Sequence, residues 1–382
     1  MDGQPGSYRK GQGMRKRWVL VALLAAAVAI AAGLGSAKNA AASRQLTKVT
    51  IQLKWVPQAQ FAGYYAALDL GYYKKAGLDV TLKNGGPQII PEQVVASGQA
   101  QFGVDWLPSL LAARDQGTQL VNIAQVFARS GMTQLTWKDS GITSVAQFKG
   151  KKIANWLGGN QFELFAALNK YGMDGATNKG VTIVQQPFDM NLFLNHQVDS
   201  ASAMTYNELA QVLESKNPKT GKLYTLANLN VIKMQSSGTG MLEDGMFSTA
   251  KYLNSAANRT IAEKVIGATL AGWIYCRDHV AQCVNFTLKA GPTLPKGHQL
   301  WMMNEINKLV WPNTSGIGIM NKADFNRTAQ ISQKYGVIKK KPSGAYRTDL
   351  AQAAVAGLKA QGMDVTGKSY KPLVVRVTAG GK

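Results

Sequence analysis

Residues 54–80 read KWVPQAQFAGYYAALDLGYYKKAGLDV, and their order decides the fold. The stretch follows VTIQL at 49–53, whose alternation of apolar and polar residues predicts a strand. Phe61, Tyr64, Tyr65, Leu68 and Tyr72 then recur at helical spacing, and Gly77 closes the run. LDVTL at 78–82 predicts the next strand. Strand, helix, strand at this spacing is a right-handed crossover joining a parallel pair.

The same plan continues outward. A short helix over 91–97, a strand at 101–104, a helix over 107–115 and a strand at 120–127 complete one α/β lobe. The pattern restarts near 133 with TQLTW, a helix in ITSVAQF, the strand KKIAN, the turn WLGGN and a helix over 161–171. VTIVQQ, a helix near 189–196, SASAM and a helix opened by TYNE at 205–208 follow. Beyond about 240 the reading is mainly helical. A chain of 382 residues is long enough for two such lobes.

The N-terminus carries a different signal. MRKR at 14–17 precedes an apolar run over 18–35 and then small residues up to Ala42. That order predicts a secretory signal peptide over 1–42; the alternative is an uncleaved membrane anchor, since the run is about long enough to span a bilayer. The net charge is +22, and +17 without residues 1–42. The basic residues are scattered, with KKK at 339–341 as the single run, so the charge describes a solvated surface and not a nucleic-acid site. Attraction to an anionic membrane surface fits the same numbers.

Cys276 and Cys283 are the two cysteines. On one straight helix they would lie about 10 Å apart along the axis, beyond disulfide reach. A break within RDHVAQ would bring them together, and an exported protein permits that bond. Three histidines and no repeated C-x-x-C give no metal site. There is no Walker loop, G-x-S-x-G elbow, H-E-x-x-H or G-x-G-x-x-G, and hence no catalytic constellation or cofactor motif.

What remains is suited to binding. Open α/β sheets hold ligands beyond the carboxyl ends of their strands. The strand reading places Trp55, Asp105, Trp106, Trp156 and Tyr206 there. One of Tyr64 and Tyr65 is expected to face the core and the other the cleft. Aromatic rings stack on a flat heterocycle, Glu208 or Asp105 accepts hydrogen bonds from its N–H groups, and Gln58, Gln60, Asn160 and Asn207 supply donors and acceptors. The glycines of WLGGN, Gly158 and Gly159, make either a tight turn or a backbone anion cradle.

The segments LKWVPQAQFAGYYAALDLGYYKKAGLDVTL, GKKIANWLGGNQFE, AMTYNEL and LKAQGMDVTGKSYK resemble the NMT1/THI5-like group of solute-binding proteins, near the sulfonate-binding proteins of ABC importers. The resemblance implies a two-lobe periplasmic-binding-protein fold of type II with one lobe discontinuous. Lobe I would comprise 43–133 and 239–382, and lobe II 134–238. It implies a monomeric receptor, at the periplasmic or extracellular face of the cytoplasmic membrane, that hands a small molecule to an ABC permease. Carried over, Trp55, Gln58, Gln60 and Phe61 line one wall, joined by Tyr64. Trp156, Gly158, Gly159, Asn160, Glu163, Tyr206, Asn207 and Glu208 line the other. Members bind the pyrimidine precursor of thiamine, riboflavin or alkanesulfonates. A eukaryotic branch is an enzyme that makes the thiamine pyrimidine, using pyridoxal phosphate held through a lysine together with iron. Gln58, Gln60 and Phe61 stand where pyrimidine-binding members carry asparagines and a histidine, and that enzyme's cysteine-rich motif is absent. That loop suits a ring system such as a flavin better than the thiamine pyrimidine, and the expected ligand is a planar N-heteroaromatic vitamin or precursor, pyrimidine or riboflavin-like, with a synthase or an alkanesulfonate receptor as alternatives.

Overall fold

A computed structural model describes residues 1–4 and 45–382. Most of the expected signal segment, 1–42, lies outside the described residues. Among the described residues no helix is long and apolar enough to cross a membrane.

Ten strands form two sheets. The first contains β1 (Thr47–Gln52), β2 (Leu78–Lys83), β3 (Phe102–Trp106), β4 (Leu120–Gln125) and β10 (Asp244–Thr249), in the order β2-β1-β3-β10-β4. The second contains β5 (Met132–Trp137), β6 (Lys152–Asn155), β7 (Thr182–Gln185), β8 (Ser200–Met204) and β9 (Leu229–Lys233), in the order β7-β6-β8-β5-β9. In each sheet three strands run parallel. An antiparallel strand is then inserted before the last: β10 in the first sheet and β5 in the second. Each inserted strand is the one the chain enters directly after crossing between the sheets. The two halves thus share one topology, and residues 126–131 and 234–243 are the crossings.

The burial pattern follows from position. β3, β4, β5 and β8 are buried along their whole length because helices cover both faces of a parallel-type sheet. The edge strands β2 and β7 keep exposed positions. The helix Ala62–Asp69, which carries Tyr64 and Tyr65, packs against the long helix Ala256–Asp278. The two approach closely at a pair of glycines. A Cβ on Gly63 would fall 2.3 Å from the Trp273 ring, and one on Gly272 would fall 2.1 Å from the Gly63 carbonyl oxygen.

Two strands escape the sequence reading. β10 sits within the region expected to be mainly helical, and β9 has no strand assigned to it. In β10 the apolar pair Met246 and Phe247 is short, preceded by Asp244 and Gly245 and followed by Ser248 and Thr249, so its periodicity is weak. ITSVAQF yields only a single 3₁₀ turn over Val145–Phe148, capped by Ser144 and Gln147. The long helix ends at Asp278, the next begins at Val280, and the break at His279 brings the Cys276 and Cys283 Cα atoms to 5.4 Å, where the two are disulfide-bonded.

Candidate functional site

The carboxyl ends of β1, β6 and β8 open into one cleft between the two sheets. Just past β1 the chain presents Lys54 and Trp55, then Gln58 and Gln60. Trp156 and Asn160 follow β6, and Tyr206, Asn207 and Glu208 follow Met204 at the end of β8. These ten residues line one space, with about 30 Å³ open between them. Eight of the sequence-predicted residues therefore meet: Trp55, Gln58, Gln60, Trp156, Asn160, Tyr206, Asn207 and Glu208.

Others do not. Phe61 and Tyr64 are core residues, 0% and 1% exposed, and Tyr64 meets the edge of Trp273. Tyr65 is also buried, so neither tyrosine of the pair faces the cleft. The helical spacing was read correctly, but a partner helix nearly 200 residues away covers the whole aromatic face. Trp106 is likewise 1% exposed; its ring lies below the Lys54 ammonium, 5.5 Å from the ring centre. Glu163 lies at a crossing and not on a cleft wall. It is fully buried and accepts a hydrogen bond from Ser130 at 2.7 Å.

Asp105 does not line this space: it is ion-paired to Lys54 from behind and opens instead on a second recess with Gly158 and Gly159. Burial pulls the Lys54 amine down, but Asp105 beside it, with Glu92 and Asp244 nearby, carries it above its ordinary value. Asp244 accepts from Gln60 Nε2 at 2.8 Å, and burial raises its carboxyl to about 7. Lys54 is the residue that sequence reasoning missed. The available signal was a lysine directly after an apolar strand, matched by an aspartate near the end of a neighbouring one.

Glu208 stands on the opposite wall. Its oxygens accept from the Met204 N–H at 2.9 Å and from Asn207 Nδ2 at 2.8 Å, and burial raises its carboxyl to about 7. Asn160 lines the cleft, and its Oδ1 is buried with no partner among the described residues. A buried polar atom of this kind is costly unless something donates to it. Trp156 is fixed by its Nε1, which donates to the Pro187 carbonyl at 3.2 Å.

The halves touch across the cleft at several places. Trp55 meets Phe188 with ring centres 5.0 Å apart. Asn207 Nδ2 donates to Gln58 Oε1 at 3.5 Å. Ser109 Oγ donates to the Gly159 carbonyl at 3.1 Å. Gly159 has a φ of +98°, and a Cβ there would press on Ser109 Oγ at 2.9 Å, so this turn requires glycine. Gly158 lines a recess of about 700 Å³ that adjoins the cleft and shares Trp55, Trp156 and Asn160 with it.

Chemically the cleft offers ring faces, amides, one carboxyl and a tethered cation. That set recognises a flat polar molecule through stacking and hydrogen bonds.

The profile of the family described as NMT1/THI5 like matches residues 58–282. The chain is 30% identical over 128 residues to the 4-amino-5-hydroxymethyl-2-methylpyrimidine phosphate synthase THI11 of Saccharomyces cerevisiae, covering 33% of this chain and 37% of that one. It is 28% identical over 111 residues to the formylaminopyrimidine-binding protein of Halalkalibacterium halodurans, covering 29% and 33%. The chain therefore spans about a third of the length of these relatives. The periplasmic aliphatic sulphonate binding protein SsuA from Escherichia coli shares the fold, with a TM-score of 0.58, 17% identity, and coverage of 82% of this chain and 99% of that one.

Proposed function

The chain belongs to the NMT1/THI5-like family, and on that premise we propose that it is the extracytoplasmic receptor of an ABC importer for a planar N-heteroaromatic compound. The observation that carries this reading is the convergence of Trp55, Trp156 and Tyr206 with Gln58, Asn160, Asn207 and Glu208 around one small space.

In this reading Trp55 and Trp156 stack on the ring. Glu208 accepts from an amino or ring N–H group, and Asn160 Oδ1 takes a second donor. The ligand touches both halves only when they are closed, so its binding shifts the population toward the closed form. The closed form is what a membrane permease would read. The receptor acts as a monomer outside the cytoplasmic membrane.

The similarity to a synthase raises a second reading. Such an enzyme would hold pyridoxal phosphate through a lysine. Lys54 is the lysine that lines this cleft, and its ammonium is buried against Asp105 and the Trp106 ring. These residues do not fit a Schiff-base lysine, and no step through that group is derived.

The test is calorimetry with 4-amino-5-hydroxymethyl-2-methylpyrimidine, riboflavin and an alkanesulfonate, alongside native mass spectrometry of freshly purified protein. Binding of the aminopyrimidine supports the proposal. Binding of the sulfonate alone, or pyrimidine production on incubation with pyridoxal phosphate and ferrous iron, overturns it.

A further inference from the structure

His298 lies outside the cleft, on the helix Lys296–Val310, yet it reaches the cleft through one side chain. Its Nε2 stands 2.9 Å from Asn207 Oδ1. Its Nδ1 stands 2.9 and 3.0 Å from the two carboxyl oxygens of Glu214. Both ring nitrogens thus face oxygens, and the ring bridges Glu214 and Asn207. His298, Glu214 and Asn207 are each less than a tenth exposed.

The orientation of the Asn207 amide is fixed by its surroundings. Acceptors surround its Nδ2: Glu208 Oε1 at 2.8 Å and Gln58 Oε1 at 3.5 Å. Donors surround its Oδ1: His298 Nε2 and Gln211 Nε2, the latter at 3.4 Å. A flipped amide would set oxygen against oxygen on the Glu208 side. The helix bearing His298 also holds the first cleft loop, because Gln299 Oε1 accepts from the Ala59 N–H at 2.8 Å. Asn207 and Glu214 belong to the half built on the second sheet. One imidazole therefore joins the two halves and sets an amide inside the cleft.

We infer that His298 is a positioning residue that fixes the hydrogen-bonding polarity of the cleft. It pins Asn207 Oδ1, which turns Nδ2 toward Glu208. In its ionised form Glu208 is thereby held as an acceptor, and with Asn160 Oδ1, which has no partner among the described residues, the cleft is acceptor-rich. It selects a ring that brings donors, an amino-substituted heterocycle, over its oxo counterpart. This specificity rests on the receptor reading above; the positioning role does not.

Two measurements separate them. In ligand-free full-length protein, side-chain amide NMR should show the Asn207 Nδ2 protons protected from exchange. The protection should be lost in His298→Leu and restored in His298→Gln, which returns a donor. Unprotected Asn207 protons in the unmodified protein overturn the inference whatever the variants do. Calorimetry then compares 4-amino-5-hydroxymethyl-2-methylpyrimidine with its 4-oxo analogue. The unmodified protein should prefer the amino compound by at least about tenfold, and His298→Leu should shrink that ratio. An equal loss for both probes would mean a merely structural role and overturn the inference. If neither probe binds while Asn207 is protected, the receptor reading fails and the positioning role stands.

Discussion

The indole of Trp55, rooted just past β1, meets the ring of Phe188 from the opposite half with their centres 5.0 Å apart and their planes tilted by 41°. This contact spans the cleft and joins the two halves. Both rings are partly exposed, so neither is committed to a core. Trp156, 7% exposed, lines the same space from below β6.

Trp55→Ala and Trp156→Ala should therefore weaken binding of the aminopyrimidine probe by about ten- to a hundredfold each, from a stacking contribution of roughly 1–3 kcal/mol per ring. Calorimetry on each variant measures it, with circular dichroism confirming the fold. Unchanged affinity in both would remove the ring-clamp reading. Tyr206 makes a poorer probe: it is 2% exposed and packs edge-on against Phe127, so its truncation would lower stability as well.

Buried carboxyls govern the pH response of the fold. Burial raises Glu163 to about 8, and Glu208 and Asp244 to about 7. In the unfolded chain such groups titrate near 4. Between these values the native state holds protons that the unfolded state has lost, so stability falls as pH rises from about 4.5 to 8. For Glu208 alone the loss is on the order of 3 kcal/mol. Glu163→Gln keeps an acceptor for Ser130 and removes one titrating group. Urea midpoints measured from pH 5 to 8 should decline less in that variant than in the unmodified protein. Equal slopes would show that Glu163 does not contribute.

The disulfide spans a short interval, Cys276 to Cys283, and closes the turn at His279 between two helices. Chain entropy for a loop of that size gives about 2 kcal/mol of stabilisation. Cys276→Ala/Cys283→Ala should lower the unfolding free energy by about that amount in denaturant titration. The cleft residues lie on other elements, so probe affinity should be retained.

How much of this was legible in the sequence depends on how far apart the interacting residues lie. The β1–helix–β2 unit is encoded in 35 or so contiguous residues by a change of period, and it reads directly. Trp55, Trp156 and Tyr206 could be placed because each follows a strand signal. Phe61, Tyr64 and Trp106 could not be told apart from them, since an aromatic residue does not say which neighbour will cover it. Here the cover comes from Trp273 and from the Lys54 side chain. Lys54 and His298 had no local signature; each acquires its role from a partner roughly 50 to 90 residues away. β10 was hidden for a related reason: as an inserted central strand its burial is dictated by β3 and β4, not by its own alternation.

The close approach of the helices Ala62–Asp69 and Ala256–Asp278 gives the most direct test of the packing. Gly63 presents its Cα to the face of Trp273, and a methyl group there would lie 2.3 to 2.5 Å from three ring atoms. Trp273 cannot easily retreat: it is fully buried, with Tyr64 and Phe127 against its edges. A Cβ on Gly272 would fall 2.1 Å from the Gly63 carbonyl oxygen, so the helices are already in backbone contact there and cannot slide to make room. Gly63→Ala should thus cost about 1–3 kcal/mol or more through overpacking, against a gain of up to about 1 kcal/mol in helix propensity. Gly71→Ala is the control. Its Cβ would meet nothing within 4 Å, and the cost comes only from its φ of +72°. Thermal and urea unfolding of the two variants should place Gly63→Ala below Gly71→Ala. Equal or reversed stabilities would mean that the two helices are not held at this distance. Because the helix 62–69 follows directly from the loop bearing Gln58 and Gln60, Gly63→Ala should also weaken probe binding where Gly71→Ala does not.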